Sequence, residues 1–144
     1  MGLRRKVSLT LMALLLAPLG APQAQPAAQG KPHKVVLQVS DADPAKWNLA
    51  LNNANNIQQD LGADQVAIEI VAYGPGIALL KLESVAAGRV AEALAAGISV
   101  QACENTLRNL KLVQADMLPR IGYVASGVVQ LMKRQKEGYA YIRP

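Results

Sequence analysis

The hydrophobic pattern of this 144-residue chain alternates between two kinds of stretch. Short continuous apolar runs read as buried strands, and longer stretches with three- and four-residue spacing read as amphipathic helices. Lys34 to Ser40 (KVVLQVS) is the first run. Asp43 followed by Pro44 reads as an N-cap with proline at the first helical position. Trp47, Ala50, Leu51, Ala54, Ile57 and Leu61 then predict a helix over 44–61, with Trp47 as a packing residue and Gly62 as the stop. Val66 to Ala72 (VAIEIVA) is the second strand, followed by a tight loop at Tyr73-Gly74-Pro75-Gly76 and a short helical or irregular piece to Leu82.

Ser84 is expected to cap a second helix that runs to about Ala96, with Val85, Val90 and Leu94 inward and Gly97 as its end. Ile98 to Ala102 is the third strand, and Cys103 stands at its end. A third helix follows, with Asn105 or Thr106 as cap and Leu107, Leu110 and Val113 as its apolar face. Ile121 to Ala125 is the fourth strand. Ser126 is expected to cap a fourth helix with Val128, Val129, Leu131 and Met132 facing inward, stopped by Gly138. Tyr139 to Ile142 is a last short strand.

Strands that alternate with helices in this way predict an α/β fold, with a mainly parallel sheet covered on both faces. Such sheets bind ligands at the carboxyl ends of their strands. Here those ends are Ser40-Asp41, Tyr73-Gly74, Cys103 and Ala125-Ser126. Gly74 and Gly76 let the backbone approach a ligand or another chain closely, or simply make a turn. They are not a dinucleotide fingerprint, because Leu79 stands where a third glycine is needed.

The N-terminal pattern is different. Arg4, Arg5 and Lys6 precede an apolar run from Val7 to Ala17, which Pro18, Gly20 and Pro22 then break. A basic region, a short apolar core and a small-residue exit predict a Sec signal peptide over residues 1–24, cleaved after Ala24. The run is shorter than the roughly 20 residues of a spanning helix, and an uncleaved anchor is the alternative reading. Residues 25–33 read as a flexible leader, and the domain as 34–144. The protein is thus expected to be periplasmic, with no membrane contact after cleavage. The formal charge is +5, of which Arg4, Arg5 and Lys6 supply three, leaving +2. So near-neutral a mature chain gives no reason to expect a nucleic-acid partner. Lys133, Arg134 and Lys136 read as the solvated last turn of the fourth helix, complementing its dipole.

The chain has one cysteine, so no internal disulfide can form. The thiol is buried and inert, paired between chains, or exposed and used. A thiol where a strand enters a helix faces the free N–H groups of the first turn, which favour thiolate. The single histidine, His33, falls in the leader, so no Cys–His pair is expected. No metal-ligand spacing occurs, and no metal or cofactor is expected.

Three stretches carry a resemblance: Val71-Ala72-Tyr73-Gly74-Pro75-Gly76-Ile77, Ala102-Cys103-Glu104-Asn105-Thr106-Leu107, and Glu137-Gly138-Tyr139-Ala140-Tyr141-Ile142-Arg143-Pro144. Together they resemble the exported, single-domain branch of the DsrE/DsrF-like proteins. The resemblance implies a three-layer α/β/α sandwich with a five-stranded sheet, assembled as a homo-oligomer, trimer or hexamer. It implies that Cys103 carries sulfur as a persulfide between a donor and an acceptor protein. Asn105 and Thr106 would bind the sulfur anion or cap the helix, and Tyr73, Gly74 and Gly76 would wall the site. The branch has Cys-Gly-Asn-Thr where this chain has Glu104 in place of the glycine, and a carboxylate close to a thiol opposes its ionisation. A sulfur carrier is therefore one expected function. A non-catalytic oligomeric binding or scaffold protein with a structural Cys103 is the other, and an inter-subunit disulfide is a third.

Overall fold

The computed structural model describes residues 30–144. The expected signal peptide and most of the leader lie outside them. The strands are β1 (His33–Val39), β2 (Val66–Ala72), β3 (Ser99–Cys103), β4 (Gly122–Val124) and β5 (Ala140–Ile142). The α-helices are α1 (Pro44–Leu61), α2 (Ala87–Ala95), α3 (Glu104–Asn109) and α4 (Gly127–Lys136), and Gly74–Leu80 forms a 3-10 segment. The five strands form one all-parallel sheet in the order β4-β3-β2-β1-β5.

That order explains the layers. The connections from β1 to β4 step the sheet in one direction, whereas β5 returns to the far side of β1. Right-handed crossovers put connections of opposite direction on opposite faces. One face accordingly packs Leu37, Ile70, Leu79, Leu80, Val90 and Val100 into the main core under α1, α2 and the 3-10 segment. The opposite face holds a small cluster of Val36, Val71 and Leu131 under α4, flanked by Tyr73 and Tyr139.

Helix α1 forms where the pattern places it. The Asp43 carboxylate accepts from the Ala45 N–H at 2.8 Å, and Gly62 ends the helix at φ +93°. Trp47 is buried, and its indole N–H donates to the Asp41 carbonyl at 2.6 Å.

Several expectations need correction. β1 begins at His33, whose N–H bonds the Gln65 carbonyl, so that residue belongs to the sheet. Ser84 does not cap α2: its hydroxyl accepts from the Ala86 N–H in the preceding turn, and Val85 is exposed. Helix α3 ends at Asn109, before Leu110 and Val113 can join its face, and both are exposed. Neither Asn105 nor Thr106 caps α3, because the N-cap residue is Cys103. Ser126 occupies the N-cap of α4 without a side-chain hydrogen bond. Of the four apolar residues expected inward on α4 only Leu131 is buried; Val128, Val129 and Met132 face out.

The reason for the turned α4 is Glu69. This carboxylate lies mid-strand in β2, on the α4 face, at 2 % exposure. A buried carboxylate requires a partner. α4 therefore presents Gln130 and Arg134 to the sheet beside Leu131, and its valines turn outward. Gln130 Nε2 donates to Oε1 at 2.7 Å; Arg134 Nε contacts both oxygens at 3.1 Å, and its outer nitrogen reaches Oε2 at 2.7 Å. Arg134 is thus not part of a solvated basic turn. Its guanidinium is paired with Glu69 and Glu137 and lies 5.1 Å from the centroid of the Tyr139 ring.

Two glycines distinguish close approach from open space. A Cβ on Gly76 would lie 2.3 Å from the Val39 carbonyl oxygen, whereas one on Gly88 would meet nothing within 4 Å. Gly76→Ala should therefore lower the unfolding free energy by about 3 kcal/mol through overpacking. Gly88→Ala, inside α2, should raise it by about 0.5 kcal/mol. Urea denaturation of the two variants checks both signs.

Candidate functional site

The site lies where adjacent strands send their chains to opposite faces. After β3 the chain enters α3, whose Leu107 packs into the main core. After β4 it enters α4 on the other face. The carboxyl ends of β3 and β4 therefore flank a topological switch point, the crevice at which parallel sheets bind ligands. Cys103 ends β3 there, paired in register with Val124. The Asn105 N–H donates to the Ala125 carbonyl across this crevice at 3.2 Å.

The thiol is 4 % exposed. The Gly127 N–H, the first of α4, donates to Sγ at 3.2 Å. Thr106, one turn into α3, is also buried, and its hydroxyl accepts from the Gly74 N–H at 2.9 Å. That leaves the hydroxyl proton free for the sulfur. Burial pushes the Cys103 thiol up, but the Thr106 hydroxyl and the N–H groups of Gly127, Thr106 and Asn105 outweigh it and hold the thiol below its ordinary value. The Asn105 contribution is the smallest of these, consistent with an N–H already given to Ala125. Glu104, the expected opponent of ionisation, is not among the leading influences on the thiol.

The expected site residues fall into three groups. Cys103, Thr106 and Gly74 form the first. Thr106 joins the other two: its hydroxyl accepts from the Gly74 N–H in the loop after β2, and it helps to lower the thiol of Cys103. Gly74 has φ +55°, which suits glycine. Tyr73 packs its ring on Gly127, where an added Cβ would lie 2.9 Å from the tyrosine Cβ. Burial raises the Tyr73 hydroxyl, with Tyr141 adding to the effect, while Arg143 and a hydrogen bond with Ser40 pull it back. The Asn105 side chain and Gly76 stand apart from the thiol. The Asn105 side chain is exposed and accepts from Arg108, and Gly76 presses against the end of β1.

Gly127 is the residue that sequence reasoning missed. A Ser-Gly pair after an apolar run signals a helix start, but nothing in it says that the new N–H will meet a cysteine from another strand. An open groove of about 320 Å³ runs along α3 and the segment after it, lined by Glu104, Leu107, Arg108, Leu112, Val113 and Gln114, and Cys103 is not part of its wall. Among the described residues, no group of three or more His, Cys, Asp or Glu could hold a metal ion.

With the fold and the thiol in place, comparison defines the class. The model of the DsrE/DsrF-like family matches residues 33–144, and the chain belongs to that family. A protein of unknown function from Methanobacterium thermoautotrophicum is 38 % identical, superposes with a TM-score of 0.75, and covers 78 % of this chain and 99 % of its own. A conserved protein of unknown function from Bacteroides thetaiotaomicron shares the fold at 18 % identity, with a TM-score of 0.66, covering 82 % of this chain and all of its own. No curated protein matches the chain.

Replacing the Thr106 hydroxyl by a methyl group tests the electrostatics. Thr106→Val should move the Cys103 titration upward by about one pH unit, the loss of one hydrogen bond to a charged sulfur. The thiolate's ultraviolet absorbance, differenced against Cys103→Ala, reads it. The sign of the stability effect follows. A thiol depressed in the folded state adds stability above its unfolded value and loses it as pH falls through the folded value. The advantage of wild type over Thr106→Val should therefore grow as pH rises through that window.

Proposed function

We propose that this protein is a periplasmic sulfur carrier in which Cys103 holds a persulfide. The observation that carries this reading is the neutral donor set around one sulfur: the Gly127 N–H at 3.2 Å and the Thr106 hydroxyl, held in place by Gly74. Such donors stabilise a sulfur anion with no cofactor. The Cys103 thiolate attacks the outer sulfur of a donor persulfide, R–S–SH. A new S–S bond forms as the old one breaks, and the electron pair leaves with R–S⁻. The product is Cys103–S–SH, and an acceptor thiolate repeats the exchange in the other direction. Oxidation states balance, and no external oxidant enters.

Export and assembly belong to the same proposal. The basic and apolar N-terminal pattern supports export. Val128, Val129 and Met132 form an exposed apolar face on α4, which supports a homo-oligomer, trimer or hexamer. Val129→Glu should then shift the mass from light scattering to that of one chain, and an unchanged mass would count against this face.

The second reading, an oligomeric binding or scaffold protein with a structural thiol, is favoured by one observation, the 4 % exposure of Cys103. Intact mass of protein isolated from the periplasm separates the two. Sulfur carriage predicts a gain of about 32 Da that cyanide removes and that Cys103→Ala lacks. A thiol that stays unmodified, fails to load from polysulfide and reacts only on unfolding assigns the protein to the second reading.

A further inference from the structure

Helix α4 makes two attachments to the sheet, at opposite ends of one stripe. Gly127 meets Cys103 at the top of β3. Arg134, seven residues on, meets Glu69 in β2. Seven residues are two turns, about 10 Å of rise, so Gly127, Gln130 and Arg134 share the face toward the sheet. The sheet register gives the matching span. Ala72 pairs with Ala102, so Glu69 lies four residues below the level of Cys103, about 13 Å along the strand. Between the two attachments the only buried α4 side chain is Leu131, against Val36 and Val71. So thin an apolar contact leaves the polar cluster to fix the height of the helix.

We infer that Glu69 and Arg134 are positioning residues for Cys103: the ion pair of buried Glu69 with part-exposed Arg134 sets where helix α4 stands on the sheet, and so whether the Gly127 N–H reaches Sγ. The pair is built for this. Glu69 accepts from Gln130 and from two guanidinium nitrogens, and the remaining guanidinium nitrogen is taken by Glu137 at 2.7 Å. The forked geometry fixes rotation as well as distance. Glu137, Lys133 and Lys34, whose ammonium lies 5.8 Å from the centroid of the Tyr139 ring, are the other charged groups around the pair. Around the thiol, the neighbouring titratable side chains are Tyr73, packed on Gly127, and Glu104, next in the chain. Neither Glu69 nor Arg134 touches the sulfur, and both act through Gly127.

The inference rests on the thiol reading of the site only in needing Cys103 to ionise, and its test requires no sulfur transfer. The Cys103 titration is followed by thiolate absorbance in wild type, Glu69→Gln and Arg134→Lys, each differenced against its own Cys103→Ala partner. Glu69→Gln should move the titration upward by about one pH unit, roughly tenfold less thiolate at neutral pH. Arg134→Lys keeps the charge and loses the fork, and should move it upward by about half as much. Amide exchange at Gly127 should quicken in both variants while β2 amides such as Val71 keep their protection. Titrations that coincide with wild type, in variants with a wild-type far-ultraviolet spectrum, would overturn the inference. Should Glu69→Gln fail to fold, Arg134→Lys decides alone by the same criterion. A wild-type protein that never loads sulfur but shows these shifts would sink the carrier reading and leave the positioning role standing.

Discussion

One buried carboxylate and the arginine that answers it decide how the second face of this protein is built. Glu69 stands in the middle of a central strand at 2 % exposure, where a lone carboxylate would cost several kcal/mol. Everything on that face answers to it. Arg134 and Gln130 come inward, Tyr139 lies against the guanidinium, and the valines of α4 go out to solvent. Replacing such a pair by apolar residues often stabilises a fold, so its presence here is not explained by stability alone. What it does give is a fixed orientation for a helix that has little apolar surface in the core.

The second constraint is topological. Three connections step the sheet one way and the fourth returns across it, which sends α3 and α4 to opposite faces after neighbouring strands. The crevice between them is a consequence of right-handed crossovers rather than of any residue placed there. Cys103 exploits it. Its sulfur receives a main-chain donor from one face and a hydroxyl from the other, at 4 % exposure. Membership of the DsrE/DsrF-like family fits this arrangement, and the 38 % identical structure from Methanobacterium thermoautotrophicum has the same fold.

Much of the architecture was legible in the residues, because local rules and packing agree there. Helix α1 has its cap, its proline, its spacing and its stop, and strand β2 its continuous apolar run; both have the expected bounds. Cys103 at the end of β3 was legible for the same reason. The failures share a cause. The inward face of α4 was misread because hydrophobic spacing assumes an apolar sheet, and one carboxylate in VAIEIVA reverses that. The charge was visible in the sequence; the need for a partner sixty-odd residues away was its unread signal. The reach of α3 was overestimated because Leu110 and Val113 continue an apolar spacing after the helix has ended. Gly127 was invisible because its contribution is a backbone N–H, which every residue but proline possesses.

The pairing of β5 with β1 has a consequence for the order in which the molecule comes into being. Val36 sits beside Tyr141, so strands near the two ends of the described chain lie side by side. A chain made from its N-terminus presents β1 to β4 before α4 and β5. Contacts so distant in sequence close late. Until α4 docks, Cys103 is an unshielded thiol, without the N–H of Gly127 and without the layer above it. The sulfur thus meets its surroundings twice, first as an ordinary exposed cysteine and then as a buried one with a lowered proton affinity. The single cysteine of the chain has no second thiol of its own to capture it in that first state.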